Sequence, residues 1–217
     1  MNNYSQPEQL ELPNIINQKL EDWQLKIGYD EYSESPRKDY NIGKILCFPN
    51  KYIKNELELP YEYDEKFKES RNLNEIEEML TKLGYIHERI CVYDHSGVSI
   101  YLGTPCCRWD SCYIGWYCVS REEVKKQYGV KRLVKQRVNK VKKLMNTEIR
   151  TYNNWINGNV YWYELSKNGE VIDSCGGFIA DSQEDAIKEI YESGYLDSDF
   201  TNSFTLEEVI KMAERCD

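Results

Sequence analysis

The chain has 217 residues, of which 41% are hydrophobic and 30% charged, ordinary values for a globular protein of one large or two small domains. No stretch approaches the roughly 18 uncharged apolar residues of a membrane span. The first residues, MNNYSQPEQLELPN, have neither the basic start nor the apolar core of a secretory signal. The composition therefore predicts a soluble, cytoplasmic protein with no membrane partner.

The charge is unevenly distributed along the chain. The net charge is −9, yet the segment from Arg121 to Arg150 holds eleven Lys or Arg against three Glu, a local net charge of +8. The other residues therefore carry a net charge of −17. An acidic body favours a basic partner surface, whereas a basic segment favours an anionic partner.

The N-terminal part of the chain gives weak structural signals. Residues 1–70 are predicted to form an arm or lobe, and residues 71–217 an α+β core domain. Apolar residues at helical spacing predict a helix over Asn14–Leu25, and Gly43–Phe48 is predicted to be a short strand. The charged stretch that follows, up to residue 70, has no clear periodicity.

Local signals become stronger after residue 70. Asn72 or Asn74 is predicted to cap a helix that runs to Leu83, with its apolar residues on one face. Two β-rich runs, Arg89–Tyr93 and Val98–Leu102, flank a four-residue turn that ends in glycine, which predicts a β-hairpin.

A buried strand and two helices are predicted next in the core domain. An apolar run over Tyr113–Val119 predicts a buried strand. Ser120, which follows it, predicts the start of a helix. Apolar residues spaced by three and four within Lys131–Met145 predict an amphipathic helix that extends to about Trp155. Its other sides are basic.

The C-terminal region again predicts a hairpin followed by helices. Val160–Leu165 and Val171–Cys175 flank an Asn-Gly pair typical of a tight hairpin turn. Gly176-Gly177 is predicted to turn the chain, and helices are predicted over 182–192 and 205–215. Since successive strands form hairpins, the predicted class is α+β, an antiparallel sheet of hairpins packed with several amphipathic helices.

Eight cysteines raise the question of metal or disulfide chemistry. Cys106, Cys107, Cys112 and Cys118 cluster within thirteen residues, but no second closely spaced pair completes the usual zinc pattern. Free cysteines are often buried, so we interpret this cluster as core thiols and expect no metal and no cofactor. A reducing cytoplasm favours free thiols over disulfides.

Catalysis would depend on few residues. His87 and His95 are the two histidines of the chain, and His95 lies in a turn beside Asp94. Asp94 and Asp110 are candidates for a pair of carboxylates, although Asx-turns are the simpler interpretation. Phosphate-loop, dinucleotide-binding and zinc-protease signatures are absent from the sequence. The sequence therefore favours a protein that is not an enzyme.

Two surfaces are candidates for binding a partner. The first is basic and suits nucleic acid or another anionic partner, with Tyr152 and Trp155 as possible stacking groups; its residues are Lys131, Arg132, Lys135, Lys140 and Lys143. The second is acidic and rich in tyrosine and suits a basic partner; its residues are Tyr61, Glu62, Tyr63, Asp64 and Glu65. For the basic surface, simple solvation or internal pairing is the favoured alternative. For the acidic surface, the alternative is a role in solubility.

Six short segments in the middle of the chain carry a resemblance to known sequences. They are Tyr93–Gly97, Cys107–Ser111, Gly115–Ser120, Tyr128–Arg132, Asn157–Tyr161 and Asp173–Phe178. With them, residues 85–180 resemble a largely uncharacterised family of small phage and mobile-element accessory proteins. The resemblance singles out as candidate motif residues Asp94, His95, Trp109, Asp110 and Ser111.

The resemblance implies a function in the bacterial host cytoplasm. Small acidic proteins of this setting often inhibit host defence, which implies anti-CRISPR or antirestriction activity. The leading hypothesis is a counter-defence protein that binds a CRISPR-type nuclease or restriction enzyme through the acidic, tyrosine-rich surface. The alternatives are a nucleic-acid-binding accessory protein that uses the basic helix 131–143, and a small enzyme or nucleotide-signal binder that uses Asp94, His95 and Asp110.

Overall fold

The computed structural model describes residues 22–70 and 72–216. The described residues divide into two compact units, one formed by residues 22–34 and 158–216 and the other by residues 35–70 and 72–157. These bounds differ from the boundary predicted at residue 70. Residues 22–70 contribute one strand to each unit's sheet.

The class predicted from the sequence, α+β with antiparallel strands, is confirmed, but the strands form two four-stranded sheets. The first unit contains β1 (Trp23–Tyr29), β6 (Val160–Lys167), β7 (Glu170–Ile179), α5 (Gln183–Glu192), α6 (Ser198–Ser203), α7 (Leu206–Met212) and β8 (Glu214–Arg215). The second unit contains a 3-10 turn (Pro36–Lys38), β2 (Lys44–Cys47), α1 (Tyr61–Glu69), α2 (Leu73–Lys82), β3 (Tyr85–Asp94), β4 (Val98–Leu102), β5 (Ser111–Ser120), α3 (Arg121–Gln127) and α4 (Lys135–Ile156).

The sheet of the first unit has the order β7-β6-β1-β8. β1 pairs antiparallel with β6 and, over two residues, parallel with β8. Trp23, Leu25 and Ile27 alternate along β1 and are all buried, the period of a strand with one face on the core. The helix predicted over Asn14–Leu25 is therefore wrong at its C-terminal end, and its earlier residues lie outside the described range.

The predicted β6–β7 hairpin is confirmed. Asn168 and Gly169 have φ angles of 54° and 81°, as a tight two-residue turn requires. The turn predicted at Gly176-Gly177 is wrong, because both glycines lie inside β7. The pairing register between β6 and β7 shifts opposite these glycines, between Tyr161 and Tyr163. The two glycines therefore form an irregularity within β7.

Three helices complete the core of the first unit. The helix predicted over 182–192 is confirmed as α5, with Ala186, Ile187 and Ile190 buried. The helix predicted over 205–215 ends earlier, at Met212, and the chain continues into β8. α6, which the sequence did not predict, buries Phe200 against Trp23.

The sheet of the second unit is antiparallel throughout, in the order β2-β5-β3-β4. Trp116 and Cys118 of β5 belong to the cluster formed with α1 and α2, whereas Tyr117 and Val119 belong to the cluster formed with α3 and α4. Helices therefore pack on both faces of this sheet. Burial on both faces explains why β5 is a continuous apolar run.

The helices of this unit follow the predicted pattern with one correction. Asn72 caps α2, as predicted, by accepting a hydrogen bond from the Asn74 N–H. α4 begins at Lys135, so Lys131 and Arg132 lie in the preceding loop and not in a helix from residue 131. The predicted apolar stripe is buried from Val141 onward.

A buried polar network joins the 3-10 turn, β5 and α4. The Arg37 guanidinium donates to both carboxylate oxygens of Glu56, at 2.9 and 2.6 Å, and to the Tyr117 hydroxyl at 2.8 Å. Tyr117 in turn donates to Glu148 at 2.5 Å. Burial and the Glu148 carboxylate raise the pKa of Tyr117, so this hydroxyl keeps its proton as a donor.

Candidate functional site

The predicted motif residues come together at one end of the second unit's sheet. β3 ends at Asp94 and β5 begins at Ser111, and these strands are neighbours. The Asp94 N–H donates to the Asp110 carbonyl at 2.9 Å, which joins the β3–β4 turn to the loop before β5. The fold therefore brings together Asp94, His95, Trp109, Asp110 and Ser111, a group that we call the hairpin-end cluster.

The two carboxylates of this cluster have separate partners. Asp94 accepts from the Tyr52 hydroxyl at 2.6 Å and the Lys51 ammonium at 3.1 Å, and these two bonds lower the pKa of its carboxyl group. Asp110 accepts a weak hydrogen bond from the Cys107 thiol at 3.5 Å. Nothing in these contacts makes the two carboxylates a shared acid–base pair.

His95 does not complete a catalytic triad with the nearby thiol. His95 Nδ1 lies 3.7 Å from Asp110 Oδ2, the same oxygen that accepts from Cys107. In a working triad the histidine lies between the nucleophile and the acid, whereas here the carboxylate lies between thiol and imidazole. Across the two described ranges, no three His, Cys, Asp or Glu side chains are grouped so that they could hold a metal ion.

The clustered cysteines do not share one environment. Cys118 is buried, but Cys106 and Cys112 are exposed and Cys107 is half-buried. The interpretation of the cluster as core thiols is therefore correct for Cys118 alone. Cys112 is the second residue of β5, in the part of the strand that precedes its buried run, which explains the difference.

Exposed groups surround the loop before β5. Trp109 is 86% exposed, with the Arg108 guanidinium 5.7 Å from its ring centre. The Ser111 hydroxyl instead points into the loop, where it accepts from the Cys107 N–H at 3.3 Å. Trp109 is thus free to contact a partner, whereas Ser111 holds the loop.

The basic surface comprises Lys131, Arg132, Lys135, Lys140 and Lys143, all exposed. None of the five forms an ion pair with a carboxylate in the described part of the chain. Lys142, on the flank of the same helix, does form one, at 2.5 Å from Glu88. Internal pairing, one of the alternatives for the basic segment, therefore applies to Lys142 and not to the five residues of the basic surface.

The aromatic residues of α4 are less accessible than the stacking hypothesis requires. Tyr152 is 8% exposed and its ring is parallel to that of Trp155, with centres 6.0 Å apart. The hypothesis that Tyr152 stacks on bases is therefore wrong, because its ring belongs to the core. Trp155 lines an open cavity of about 390 Å³ together with Tyr52 and Lys54.

The acidic, tyrosine-rich surface is one short helix, α1. Tyr61 is 80% exposed and Glu62 is exposed beside it. Lys68 of the same helix lies 2.5 Å from Asp64 and 3.6 Å from Glu65. Part of the negative charge is therefore balanced within the helix, and Tyr63 is half-buried against the core.

Tyr101 and Cys106 lie beside the hairpin-end cluster, although the sequence did not single them out as site residues. The Cys106 N–H donates to the Tyr101 hydroxyl at 2.9 Å, and the Cys106 sulfur lies 3.2 Å from the Ser111 hydroxyl. The adjacent pair Cys106-Cys107 was visible in the sequence, but the hydroxyl groups around it depend on how β4 and β5 are placed.

Comparisons with known proteins add no family. No family model matches the chain, and searches of curated proteins and of solved structures found no match. In the described residues, no helix combines the length and the apolar character needed to cross a membrane.

Proposed function

We propose that this protein binds nucleic acid through its basic surface. The observation that carries the proposal is the set of five exposed cations that form the basic surface, which have no ion-pair partner in the described residues: Lys131, Arg132, Lys135, Lys140 and Lys143. A surface cation without an internal partner is available to a phosphate, and each phosphate contact releases condensed counterions.

The spacing of the cations suits an extended polyanion. Lys135 and Lys143 are eight residues apart on α4, which is about 12 Å along a helix axis. Phosphates of one DNA strand recur about every 3.4 Å along the duplex axis. The cations therefore reach different phosphates, and several contacts form at once.

The acidic remainder of the chain restricts this binding to one face. Its net charge of −17 repels phosphates elsewhere on the protein. The expected mode is contact with the phosphate backbone, with little selection of sequence, since base-edge contacts are what specify sequence.

Charge reversal tests the proposal. We expect the variant Lys135→Glu, Lys140→Glu, Lys143→Glu to lose binding of a fluorescent duplex oligonucleotide measured by anisotropy at 50 mM salt. The matched control is Lys66→Glu, Lys188→Glu, Lys211→Glu, which reverses three exposed helix lysines elsewhere and changes the net charge equally. Equal loss in both variants would contradict a local surface, and full binding by the first variant would contradict the proposal.

A second candidate function is counter-defence, as the resemblance implies. The observation that favours it is Tyr61, 80% exposed beside the exposed Glu62 at the start of α1. Exposed tyrosine beside carboxylates is a suitable contact for a basic, nucleic-acid-binding effector.

A pull-down distinguishes the two candidates. Tagged protein is incubated with lysate of bacteria that carry CRISPR and restriction systems, with and without nuclease treatment. Counter-defence predicts a stoichiometric effector that survives nuclease treatment and is lost with Tyr61→Ala, Glu62→Lys. Recovery that depends on intact nucleic acid and is unaffected by that variant would exclude it.

A further inference from the structure

A cavity of about 390 Å³ in the second unit lies between the segment that follows β2 and the end of α4. Its walls combine aromatic, polar and basic side chains, among them Asn50, Lys51, Tyr52, Lys54, Tyr152 and Trp155. Within the described part of the chain, no carboxylate lines this cavity. Its volume lies near the lower end of the range for small-ligand sites, so it suits one small molecule.

The Tyr152 hydroxyl is available to a ligand in this cavity. The Tyr152 side chain is 8% exposed, and its hydroxyl has no hydrogen-bond partner among the described residues. Every fully buried side-chain nitrogen or oxygen of those residues does have a partner. The hydroxyl is therefore in contact with open space, and the open space that its side chain lines is this cavity. A polar group in such a sheltered place gains from a hydrogen bond to a ligand.

The aromatic walls of the cavity are held by contacts within the protein. The Asn50 side-chain oxygen accepts from the Tyr52 N–H at 2.9 Å, and the Tyr52 hydroxyl donates to Asp94 at 2.6 Å. On the other side, the Trp155 ring is stacked on that of Tyr152. Because these rings already have fixed positions, a planar ligand that stacks on them orders few side chains when it binds.

The charge of the cavity favours an anion. Lys51 lies 3.1 Å from Asp94, so these two opposite charges balance one another. Lys54 is exposed and forms no ion pair with any residue that the structure describes. A free cation beside aromatic rings suits a planar ring that carries a negative group, and a nucleotide has both parts.

We propose that this cavity binds an unpaired nucleobase together with its phosphate. The base stacks against the Trp155 and Tyr52 rings, the Tyr152 hydroxyl hydrogen-bonds to the ligand, and Lys54 contacts the phosphate. A free mononucleotide and a nucleotide within a single strand share this chemistry. None of these residues belongs to the basic surface, so the inference does not rest on the proposed function.

Deoxyadenosine monophosphate and the single strand hexadeoxyadenylate are the two probes. Binding of each to the full-length protein is measured by isothermal titration calorimetry at 50 mM salt. Similar affinities for the two probes would assign the cavity to a free nucleotide. An affinity about tenfold or more higher for the hexamer, weakened by the substitutions below, would assign it to a strand. Absence of binding by both probes at millimolar concentration would overturn the proposal.

Two substitutions test whether the ligand lies in this cavity. Tyr152→Phe removes only the free hydroxyl, so the fold is retained and we expect binding to weaken about threefold or more. Lys54→Glu reverses the free cation and should weaken binding about tenfold or more. Tyr128→Phe and Lys82→Glu, in the same unit but outside the cavity, are the matched controls. Circular dichroism checks that each variant is folded. Folded Tyr152→Phe and Lys54→Glu proteins that bind as tightly as their controls would contradict the proposal.

Discussion

Arg37 and Tyr117 illustrate, at the scale of single residues, how charge is accommodated inside the second unit. The Arg37 side chain is only 8% exposed, yet its guanidinium donates to Glu56, Asn41, Tyr117 and the Gly43 carbonyl. A buried charge is tolerated when its hydrogen bonds are satisfied, and removing one partner leaves the others unpaired.

The first prediction concerns this network. Arg37→Met retains much of the side-chain volume but removes the two guanidinium N–H groups that donate to the Glu56 carboxylate. We expect a loss of about 3 kcal/mol in the free energy of unfolding, measured by urea denaturation. Arg108→Met, at an exposed position, should change stability by less than about 0.5 kcal/mol. Similar values for both variants would show that the network is not stabilising.

The second prediction concerns the pH dependence of stability. Arg89 donates to both oxygens of Glu77, at 2.5 and 2.9 Å, and this pairing lowers the pKa of the Glu77 carboxyl. A carboxyl whose pKa is lower in the folded than in the unfolded state stabilises the fold above its unfolded pKa of about 4.3. That contribution is lost as the pH falls through the folded pKa.

Substitution at Glu77 measures this contribution. We expect Glu77→Gln to be less stable than the unchanged protein at pH 7 and the difference to shrink below about pH 4. Glu78→Gln, exposed on the same helix, leaves the pair with Arg89 intact and serves as the control. A difference for Glu77→Gln that is constant from pH 7 to pH 3 would contradict this assignment.

At the scale of elements, close approach between β2 and β5 depends on one glycine. A Cβ atom added at Gly115 would lie 2.4 Å from the Leu46 carbonyl oxygen and 2.7 Å from the Cys47 Cβ. Gly115 also lies where the register between β3 and β5 shifts. The pairing of β5 with β2 therefore requires a residue without a side chain at this position.

The third prediction follows from this contact. Gly115→Ala forces the β2 backbone away from β5, and we expect a loss of about 1–3 kcal/mol, as for other overpacked sites. Gly97→Ala adds the same methyl group in a turn where nothing lies within 4 Å of the new Cβ, and should be tolerated. Comparison of the urea midpoints of Gly115→Ala and Gly97→Ala shows whether the close approach of β2 to β5 limits stability. Equal midpoints for the two variants would contradict this prediction.

The elements that could be predicted are those specified by local residues. Asn72 caps α2 with its own side chain, and Asn168-Gly169 supplies both positive φ angles of the β6–β7 turn. β1 was missed because its partner β6 is more than a hundred residues away in sequence, although Trp23, Leu25 and Ile27 do alternate. The irregularity at Gly177 was missed because its N–H is held by Asp30, across the sheet.

The candidate site was predicted in part for the same reason. Asp94 ends the first strand of the predicted hairpin and Asp110 precedes the next predicted strand, and the two were candidates for a pair of carboxylates. The pairing of β3 with β5 that brings them together was not predicted. The hydroxyl groups around Cys106 were not predicted either, because Tyr101 points to the loop only once β4 and β5 have taken their places beside β3. Contacts between side chains that are distant along the chain leave no local pattern in the sequence.

At the scale of the whole molecule, the central feature is the separation of charge along the chain. The segment from Arg121 to Arg150 is strongly basic and the rest strongly acidic. Part of this charge is balanced by ion pairs within the chain: Lys68 pairs with acids of α1, and Lys142 pairs with Glu88. The five cations of the basic surface have no ion-pair partner among the described residues, which supports the proposal that they bind an external polyanion.

The salt dependence of binding to duplex DNA tests this account most directly. If all five cations contact phosphates, a plot of the logarithm of the association constant against the logarithm of the salt concentration should have a slope of about −4.5. For the variant Lys135→Glu, Lys140→Glu, Lys143→Glu, which keeps two of the five cations, we expect a slope no steeper than about −1.8. The variant Lys66→Glu, Lys188→Glu, Lys211→Glu should keep the slope of the unchanged protein. A slope near zero for the unchanged protein, or one that the first variant does not alter, would contradict nucleic-acid binding by the basic surface.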